Sequence, residues 1–241
     1  MIRQGRRCAG RKVPQKPRIH AAILHRDDPE KDPLVGNVKV TRQDWLNAAM
    51  DTLISDGVDH VKVLMLAARL GVSRSSFYWY FNSRQDLLDA LLEEWQSTNT
   101  AALVAKAQAP AETITGALCN VFHCVVNPDL FNTSLDFAVR AWARGSDHVR
   151  RVQDQSDAVR LEALSNMFRR FGYVDLEAVA RARILYFMQM GYNDADLNEP
   201  MDERIKHVPM YLLGFTGKEA RPEEIAAFRD YVDQVTAVQS T

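Results

Sequence analysis

The sequence predicts an all-α protein, and three observations support that prediction. From Thr41 onward, apolar residues recur at the three- and four-residue spacing of a helix with one buried face. Glycine, proline and asparagine divide this pattern into segments of ordinary helical length, for instance at Gly57 and at Asn127 followed by Pro128. No convincing stretch alternates polar with apolar residues, as a half-buried strand would. The expected architecture is therefore a set of packed helices.

The first four predicted helices lie close together at the start of this periodic region. They cover residues 41–57, 62–70, 73–81 and 83–109. Thr41 and Asp44 have the spacing of a capping box, and Gly71 is suited to end the second helix. Ser73 and Ser83 are favourable caps for the third and fourth helices, because a serine hydroxyl can accept a bond from a free backbone N–H. Residues 39–86 are expected to form a small N-terminal domain, which we call the head.

Six longer helices are predicted after the head. They lie near residues 111–126, 129–144, 147–171, 176–192, 201–214 and 222–238. Pro209 falls inside the fifth of them and removes one backbone hydrogen bond, so the continuity of that helix is left open. Residues 87–241 are expected to form one larger helical domain, which we call the body.

Charge is distributed unevenly along the chain. The 241 residues contain 30 lysines and arginines and 31 aspartates and glutamates, but ten of the basic residues and only four of the acidic ones fall in residues 1–40. Residues 1–38 contain several prolines and show no helical or strand period, which predicts a mobile basic tail. Such a tail either contacts nucleic-acid phosphates or stays solvated without a function, and both alternatives stay open.

The cysteines and the hydropathy of the chain exclude several classes of protein. Three cysteines cannot all pair, and they form neither a C-x-x-C pair nor a Cys/His ligand array, which argues for a reducing compartment. No apolar run reaches the ~18 residues of a membrane span and no signal peptide is recognised, so a cytoplasmic protein without a membrane is expected. The sequence shows no catalytic constellation, metal site or cofactor motif, so neither an enzyme nor a cofactor is expected.

The second and third predicted helices have the outline of a helix-turn-helix, the unit that places its second helix in the major groove of DNA. At 100° per residue, Phe77 and Phe81 lie on one face of the third helix and are expected to pack against the core of the head. Ser75, Tyr78 and Trp79 then lie on the opposite face. Exposed aromatic side chains beside hydroxyls suit contacts with base edges, thymine methyl groups and phosphates.

The stretch from Leu66 to Leu92, LAARLGVSRSSFYWYFNSRQDLLDALL, resembles the TetR family of transcriptional regulators. The resemblance rests on a hydrophobic–alanine pair, a Gly-Val-Ser turn, an aromatic end of the third helix and a basic residue that opens the fourth. In this chain these features are Leu66 with Ala67, residues 71–73, residues 77–81 and Arg84. The match is contiguous and covers about a fifth of the chain. It implies a three-helix DNA-binding head joined to a larger helical domain that binds a ligand and pairs the subunits.

The resemblance also implies which side chains contact DNA. Base or groove contacts are implied for Arg74, Ser75, Ser76 and Trp79. Phosphate contacts are implied for Tyr78, Tyr80, Arg84 and Arg42. Lys62 departs from the family pattern, in which serine or threonine commonly caps the second helix, and it is expected to offer a charge to phosphate in place of that cap. The expected partner is a double-stranded DNA operator.

For the body, the resemblance implies an unknown small-molecule effector and a homodimer. Aromatic and methionine side chains at helical spacing are the candidates for a ligand pocket: Phe122, His123, Phe137, Trp142, Tyr186 and Met190. For each of them, packing in the core is the simpler alternative. The last two helices, 201–214 and 222–238, are the expected dimer contact, with closure of the monomer's own core as the alternative.

The function expected from these features is a dimeric transcriptional repressor that a small molecule releases from its operator. Two alternatives stay open. One is a helix-turn-helix regulator that is controlled by protein contact and has no small ligand. The other is a helical enzyme that uses the head only as a targeting module.

Overall fold

The computed structural model describes residues 40–195, 197 and 199–239, and in this part of the chain every regular element is helical. The α-helices are α1 Arg42–Asp56, α2 Val63–Leu70, α3 Arg74–Phe77, α4 Arg84–Trp95, α5 Ala101–Gln108, α6 Ile114–Val126, α7 Thr133–Ala143, α8 Asp147–Arg170, α9 Asp175–Asp194, α10 Met201–Thr216 and α11 Pro222–Gln239. The predicted all-α class is confirmed. Within the described residues, none of these helices combines the length and apolar character that crossing a bilayer requires. The predicted tail, residues 1–38, lies outside them.

Local capping fixes where the helices of the head begin and end. The Thr41 hydroxyl accepts a hydrogen bond from the Asp44 N–H at 3.2 Å, and the Thr41 N–H donates to the Asp44 carboxylate at 2.7 Å, which completes the expected capping box. The Ser83 hydroxyl accepts from the Asp86 N–H at 3.1 Å at the start of α4. Gly71 ends α2 with φ +67°, a left-handed conformation that glycine adopts without strain. These contacts span three residues or fewer, so the sequence pattern was sufficient to locate them.

The third helix is shorter than predicted, covering Arg74–Phe77 instead of residues 73–81. The chain then continues in hydrogen-bonded turns, with the Tyr80 and Phe81 N–H groups donating to the Phe77 carbonyl at 3.0 and 3.1 Å. The predicted length is wrong because Asn82 and Ser83 form the N-terminal cap of α4 and cannot continue the third helix. The Asn82 N–H donates to the Asp86 carboxylate at 2.8 Å, and Ser83 adopts the extended conformation of a cap, so the helix has to end before them.

The predicted helix over 83–109 is divided by a π-helical turn at residues 96–100, which joins α4 to α5. The wider turn buries Asn99 and Thr100, two polar residues, in the interior. The Asn99 side chain donates to the Asn132 carbonyl at 2.9 Å and accepts from the Asn132 N–H at 3.0 Å. Asn99 therefore links this turn to the start of α7.

Two hydrophobic cores hold the helices together. The first contains residues of α1–α4 together with residues of α7 and the start of α8, such as Val139 and Val149. The second lies among α5, α6, the end of α8 and α9–α11, and includes Leu118, Phe168 and Leu212. The packing of the head therefore continues past residue 86, the predicted end of that domain. Because the start of α8 belongs to the first core and its end to the second, α8 connects the head to the body.

The last two helices use their apolar stripes inside the monomer. The helix α10 runs through Pro209 without ending, and its residues Leu212 and Phe215 are buried in the second core. On α11, Phe228 and Val232 are buried in the same core. The stripes that suggested a dimer contact thus close the monomer's own core, which was the alternative. The larger exposed apolar stripe lies on α9, where the exposed fractions are 83% for Leu176, 60% for Ile184 and 45% for Phe187.

Candidate DNA interface and ligand cavity

The segment that follows the Gly71 turn separates its aromatic side chains between core and solvent. Phe77 and Phe81 are buried, and the Phe77 ring lies 5.2 Å from that of Trp45 and 5.4 Å from that of Phe81. Trp79 is 81% exposed and Tyr78 is 49% exposed. The expectation that Phe77 and Phe81 pack against the head is confirmed. An indole with four-fifths of its surface in water is available to a partner.

The residues before Phe77 form a polar edge beside this exposed tryptophan. Arg74 donates from Nη2 to the Tyr78 hydroxyl at 3.2 Å, which orients both side chains along the same surface. The hydroxyls of Ser73 and Ser75 lie 2.8 Å apart, and the Ser76 hydroxyl donates to the Ser73 carbonyl at 2.8 Å. Arg74 and Ser75 are exposed, whereas Ser76 is half-buried. The predicted base-contacting residues are thus brought together, and their role at DNA stays a prediction.

Tyr80 and Arg84, for which phosphate contacts were predicted, have partners inside the protein. The Tyr80 hydroxyl donates to the Val40 carbonyl at 2.8 Å. Arg84 donates from Nε to the Val61 carbonyl and from Nη2 to the Val58 carbonyl, both at 2.6 Å. Arg84 therefore holds the loop between α1 and α2 against the start of α4. This structural task was not visible in the sequence, since Arg84 lies more than 20 residues from each of the two valines.

The head offers cations without a surplus of positive charge. Residues 41–90 contain five basic and six acidic side chains. Two of the acids cap helices, and hydrogen bonds from the side chain and backbone of Thr41 lower the pKa of one of them, Asp44. Arg42, whose guanidinium lies 5.0 Å from the centre of the Phe81 ring, Lys62 and Arg74 form no salt bridge with a described carboxylate. These three cations are the described charges of the head that an anionic partner could approach.

In the body, a cavity of about 60 Å³ lies between α5, α6, α7, α8 and α9. Four of the predicted pocket residues line it: Phe122, Phe137, Tyr186 and Met190. A second cavity of about 50 Å³ lies beside it and shares part of the wall, including Phe122 and Gln189. These four side chains, from α6, α7 and α9, therefore converge on one cavity.

His123 and Trp142 do not line this cavity but border two other, more open grooves, and their predicted role at a ligand stays a prediction. His123 points to the other side of α6, where its ring stacks on Tyr231 at a centroid distance of 3.7 Å. Burial, and then the charge of Lys106 with its Nζ 3.3 Å away, lowers the pKa of His123 to about 4. Trp142 packs against the first core and borders an open groove near the head. Helical spacing placed both residues on helices but could not say which helix face meets the cavity.

A buried charged network borders the cavity, and it was missed by the sequence analysis. Arg140 donates to the Asp136 carboxylate at 2.8 Å and to both oxygens of Asp157 at 2.9 and 2.6 Å. Arg160 donates from Nη1 to Asp136 at 2.8 Å, and the Tyr186 hydroxyl donates to Asp157 at 2.7 Å. Asp136 also accepts a bond from the Trp95 indole N–H at 2.9 Å. Two cations and two anions are thus held together with little access to water.

The network keeps Arg140 and Asp157 ionised. Burial by itself would lower the pKa of Arg140, but the hydrogen bond to Asp157 and the charge of Asp136 raise it above its ordinary value. Burial would raise the pKa of Asp157, but the hydrogen bonds from Arg140 and Tyr186 lower it below its ordinary value. The one sequence signal was the i, i+4 spacing of Asp136 and Arg140. That spacing is as common on solvated helix faces as in the interior.

Comparison with known proteins identifies the head. Residues 46–91 match the family model for "Bacterial regulatory proteins, tetR family". The head is similar to that of bacterial regulatory proteins of the TetR family. The matched residues extend from α1 into α4, so they include the helix-turn-helix and the exposed Trp79. The resemblance inferred from residues 66–92 is therefore confirmed.

Known relatives match part of the chain. The chain is 40% identical over 62 residues to the tetracycline repressor protein class A from transposon 1721 of Escherichia coli, a match that covers 26% of this chain and 29% of the relative. It is 31% identical over 102 residues to the nucleoid occlusion factor SlmA of Haemophilus influenzae, covering 42% of each chain. The matches therefore span less than half the length of either relative.

Solved structures of the TetR fold cover more of the chain. NemR of E. coli, in its reduced form, superimposes with a TM-score of 0.58 at 18% identity and covers 76% of this chain and all of the other. SmeT, the repressor of the Stenotrophomonas maltophilia multidrug efflux pump SmeDEF, superimposes with a TM-score of 0.54 at 19% identity, covering 77% and 93%. At this level of identity the likeness concerns the fold alone. This fold joins a helix-turn-helix head to a larger helical domain, as predicted.

Proposed function

We propose that this TetR-family chain is a homodimeric transcriptional repressor whose operator affinity is set by a small molecule bound in the body. The observation that carries the DNA-binding part is the separation of aromatic residues around α3. Phe77 and Phe81 anchor the segment in the core, while Trp79, Tyr78 and Arg74 face solvent together. This arrangement holds base-reading side chains on a rigid support, as a helix-turn-helix requires. Repression is proposed by analogy with the tetracycline repressor and SmeT, both of which are described as repressors.

The test is selection of DNA from a random pool by the full chain, followed by binding measurements on the enriched sequence. We expect a sequence with two-fold symmetry, whose half-sites lie about one helical turn apart, because a dimer presents two identical heads. Binding should weaken steeply with salt. Enrichment of no sequence above background would refute sequence-specific DNA binding.

The dimer is proposed to form through α9. The exposed residues Leu176, Ile184 and Phe187 recur along one face of that helix, whereas the stripes of α10 and α11 are occupied in the monomer core. Ile184→Asp should convert the protein to a monomer in light scattering at micromolar concentration. Met210→Asp, which charges a 63% exposed residue of α10, is the matched control and should remain a dimer. If Met210→Asp is a monomer and Ile184→Asp remains a dimer, the dimer contact lies on the last two helices and not on α9.

The ligand response is proposed to pass through Asp136 and Trp95. Asp136 lies in the cavity wall and accepts a hydrogen bond from Trp95, at the end of α4, while the start of α4 packs in the core of the head. A ligand that binds two arrangements of this contact with different affinity would shift the heads between them. A regulator controlled only by protein contact would show no change of operator affinity with any ligand that raises its melting temperature.

A further inference from the structure

Arg160 is the most completely buried cation of the described residues, and one of its donor atoms has no partner. Its side chain is 0% exposed, and the guanidinium lies between the rings of Trp95 and Phe131, 4.9 and 5.2 Å from their centres. Nε donates to the Thr100 hydroxyl at 3.0 Å, and Nη1 donates to Asp136 at 2.8 Å. Nη2 is buried and has no hydrogen-bond partner among the described residues.

A buried charged donor without an acceptor is costly, and such atoms are rare in folded proteins. Arg160 is part of the wall of the 60 Å³ cavity, which is otherwise mostly apolar and aromatic, with Phe122, Phe131 and Phe137 among its lining residues. The cavity thus combines an apolar, ring-lined space with a cation that has one unused hydrogen-bond donor. A ligand that places an acceptor atom on Nη2 would satisfy that donor, and its apolar part would contact the rings.

The charges already present decide between a neutral and an anionic acceptor. The positive charges of Arg140 and Arg160 are matched by the carboxylates of Asp136 and Asp157, which they contact directly. Tyr186 stays neutral because burial raises the pKa of its hydroxyl above the ordinary value. An anionic ligand would therefore add an uncompensated negative charge to a buried, balanced network, which is strongly unfavourable.

We propose that the cavity binds a small neutral aromatic molecule whose carbonyl oxygen accepts a hydrogen bond from Arg160 Nη2. This inference rests on the ligand-responsive function proposed above and specifies the chemical class of its effector. The second cavity, behind the shared wall of Phe122 and Gln189, offers room on the side away from the arginine for substituents on the ring. Arg160 also contacts Asp136, so an acceptor bound at Nη2 would act on the residue that joins the cavity to Trp95.

Three probes of equal size test the class of ligand on the unmodified full chain by calorimetry. They are acetophenone, which has a neutral carbonyl, α-methylstyrene, which replaces that oxygen with CH₂, and benzoate, which carries a negative charge. A hydrogen bond to a charged group predicts that acetophenone binds about 10- to 100-fold more tightly than α-methylstyrene. Benzoate should bind at least about tenfold more weakly than acetophenone. Equal affinity for acetophenone and α-methylstyrene would overturn the role of Nη2, and tighter binding of benzoate would overturn the neutral class.

The position of the probe is tested with a matched pair of cavity-filling variants. Leu185 lines only the first cavity and Ile205 only the second, so Leu185→Phe should abolish acetophenone binding whereas Ile205→Phe should retain it. The infrared carbonyl band of ¹³C-labelled acetophenone reports the hydrogen bond directly. It should move to lower wavenumber in the wild-type complex and return toward its value in hydrocarbon solvent in Arg160→Met, which has no donor, provided that this variant melts cooperatively. Loss of binding in Ile205→Phe alone would place the site in the second cavity and refute the proposal.

Failure of this inference is distinguishable from failure of the proposed function. Selection of an operator by the same protein measures the DNA-binding part without any ligand. If an operator is selected but none of the three probes binds up to its solubility limit, the aromatic carbonyl class is refuted and the regulator stands. If acetophenone binds as described but does not alter operator affinity, the site is real and the ligand response is refuted.

Discussion

The division of the aromatic residues around α3 makes opposite predictions for two neighbouring substitutions. Phe77 is 0% exposed and packs against Trp45 and Phe81, so Phe77→Ala leaves a cavity in the first core. Truncation of a buried phenylalanine costs about 3–5 kcal/mol of the free energy of unfolding. For a chain of this size that corresponds to a melting temperature lower by about 6–20 °C. Trp79 is 81% exposed, so Trp79→Ala should change the free energy of unfolding by less than about 0.5 kcal/mol.

Operator affinity should respond to these substitutions in the opposite way to stability. Trp79→Ala and Arg74→Ala should each reduce sequence discrimination by about 1–3 kcal/mol while melting like the wild type, because they remove contacts to bases. Phe77→Ala should weaken binding only to the extent that the head unfolds. The measurement is a thermal melt beside fluorescence anisotropy with operator and scrambled DNA. If Trp79→Ala melts as early as Phe77→Ala, the faces are assigned wrongly, and a folded Trp79→Ala with unchanged affinity would remove Trp79 from the interface.

Three further predictions concern the network, a buried histidine and the tail. In a denaturant titration, Arg140→Met should lower the free energy of unfolding by about 3–5 kcal/mol, because it leaves buried carboxylates such as Asp157 without their cation. The control Arg150→Met breaks an exposed ion pair on α8 and should lower it by at most about 1 kcal/mol. The pKa of His123 is lowered to about 4 from its ordinary 6.5, so the unfolded chain takes up the proton first as the pH falls. The free energy of unfolding should therefore be full above pH 6.5 and fall by about 1–2 kcal/mol toward pH 4. His123→Phe should remove that part of the pH dependence, and an unchanged pH profile in this variant would refute the prediction. Deleting residues 1–37 should leave the melting temperature unchanged and reduce the magnitude of the log–log salt slope of DNA binding by about 0.9 for each phosphate that the tail neutralises; an unchanged slope would mean that the tail is solvated and silent.

The charged network shows where sequence patterns stop being informative. In the sequence, Arg140 shows only its i, i+4 spacing from Asp136, and Arg160 and Asp157 give no signal. Arg140 and Asp157 are 17 residues apart on different helices, and Asp136 and Arg160 are 24 apart. Helical periodicity describes one helix at a time. It therefore cannot reveal that carboxylates and guanidiniums from α7 and α8 meet in the interior.

The pocket candidates divide for a related reason. Tyr186 and His123 both recur at helical spacing with apolar neighbours, so the pattern favours a pocket equally for both. The rotation of α6 turns His123 toward Tyr231 on α11, whereas the rotation of α9 turns Tyr186 into the network. A helix that packs on two sides has two apolar faces, and only its neighbours decide which of them borders a cavity.

What the sequence determined by itself is what depends on contacts within about one helical turn. The capping box of Thr41 and Asp44 placed the start of α1, the glycine at position 71 placed the end of α2, and the 100° rotation per residue separated Phe77 from Trp79. Only the tertiary structure decided the tasks of residues whose partners are distant. In the tertiary structure Arg84 donates hydrogen bonds to the loop after α1, and Arg160 is buried beside the cavity with one donor unused. The sequence could not reveal either task, because the free energy of a buried charge depends on the groups that surround it in space and not along the chain.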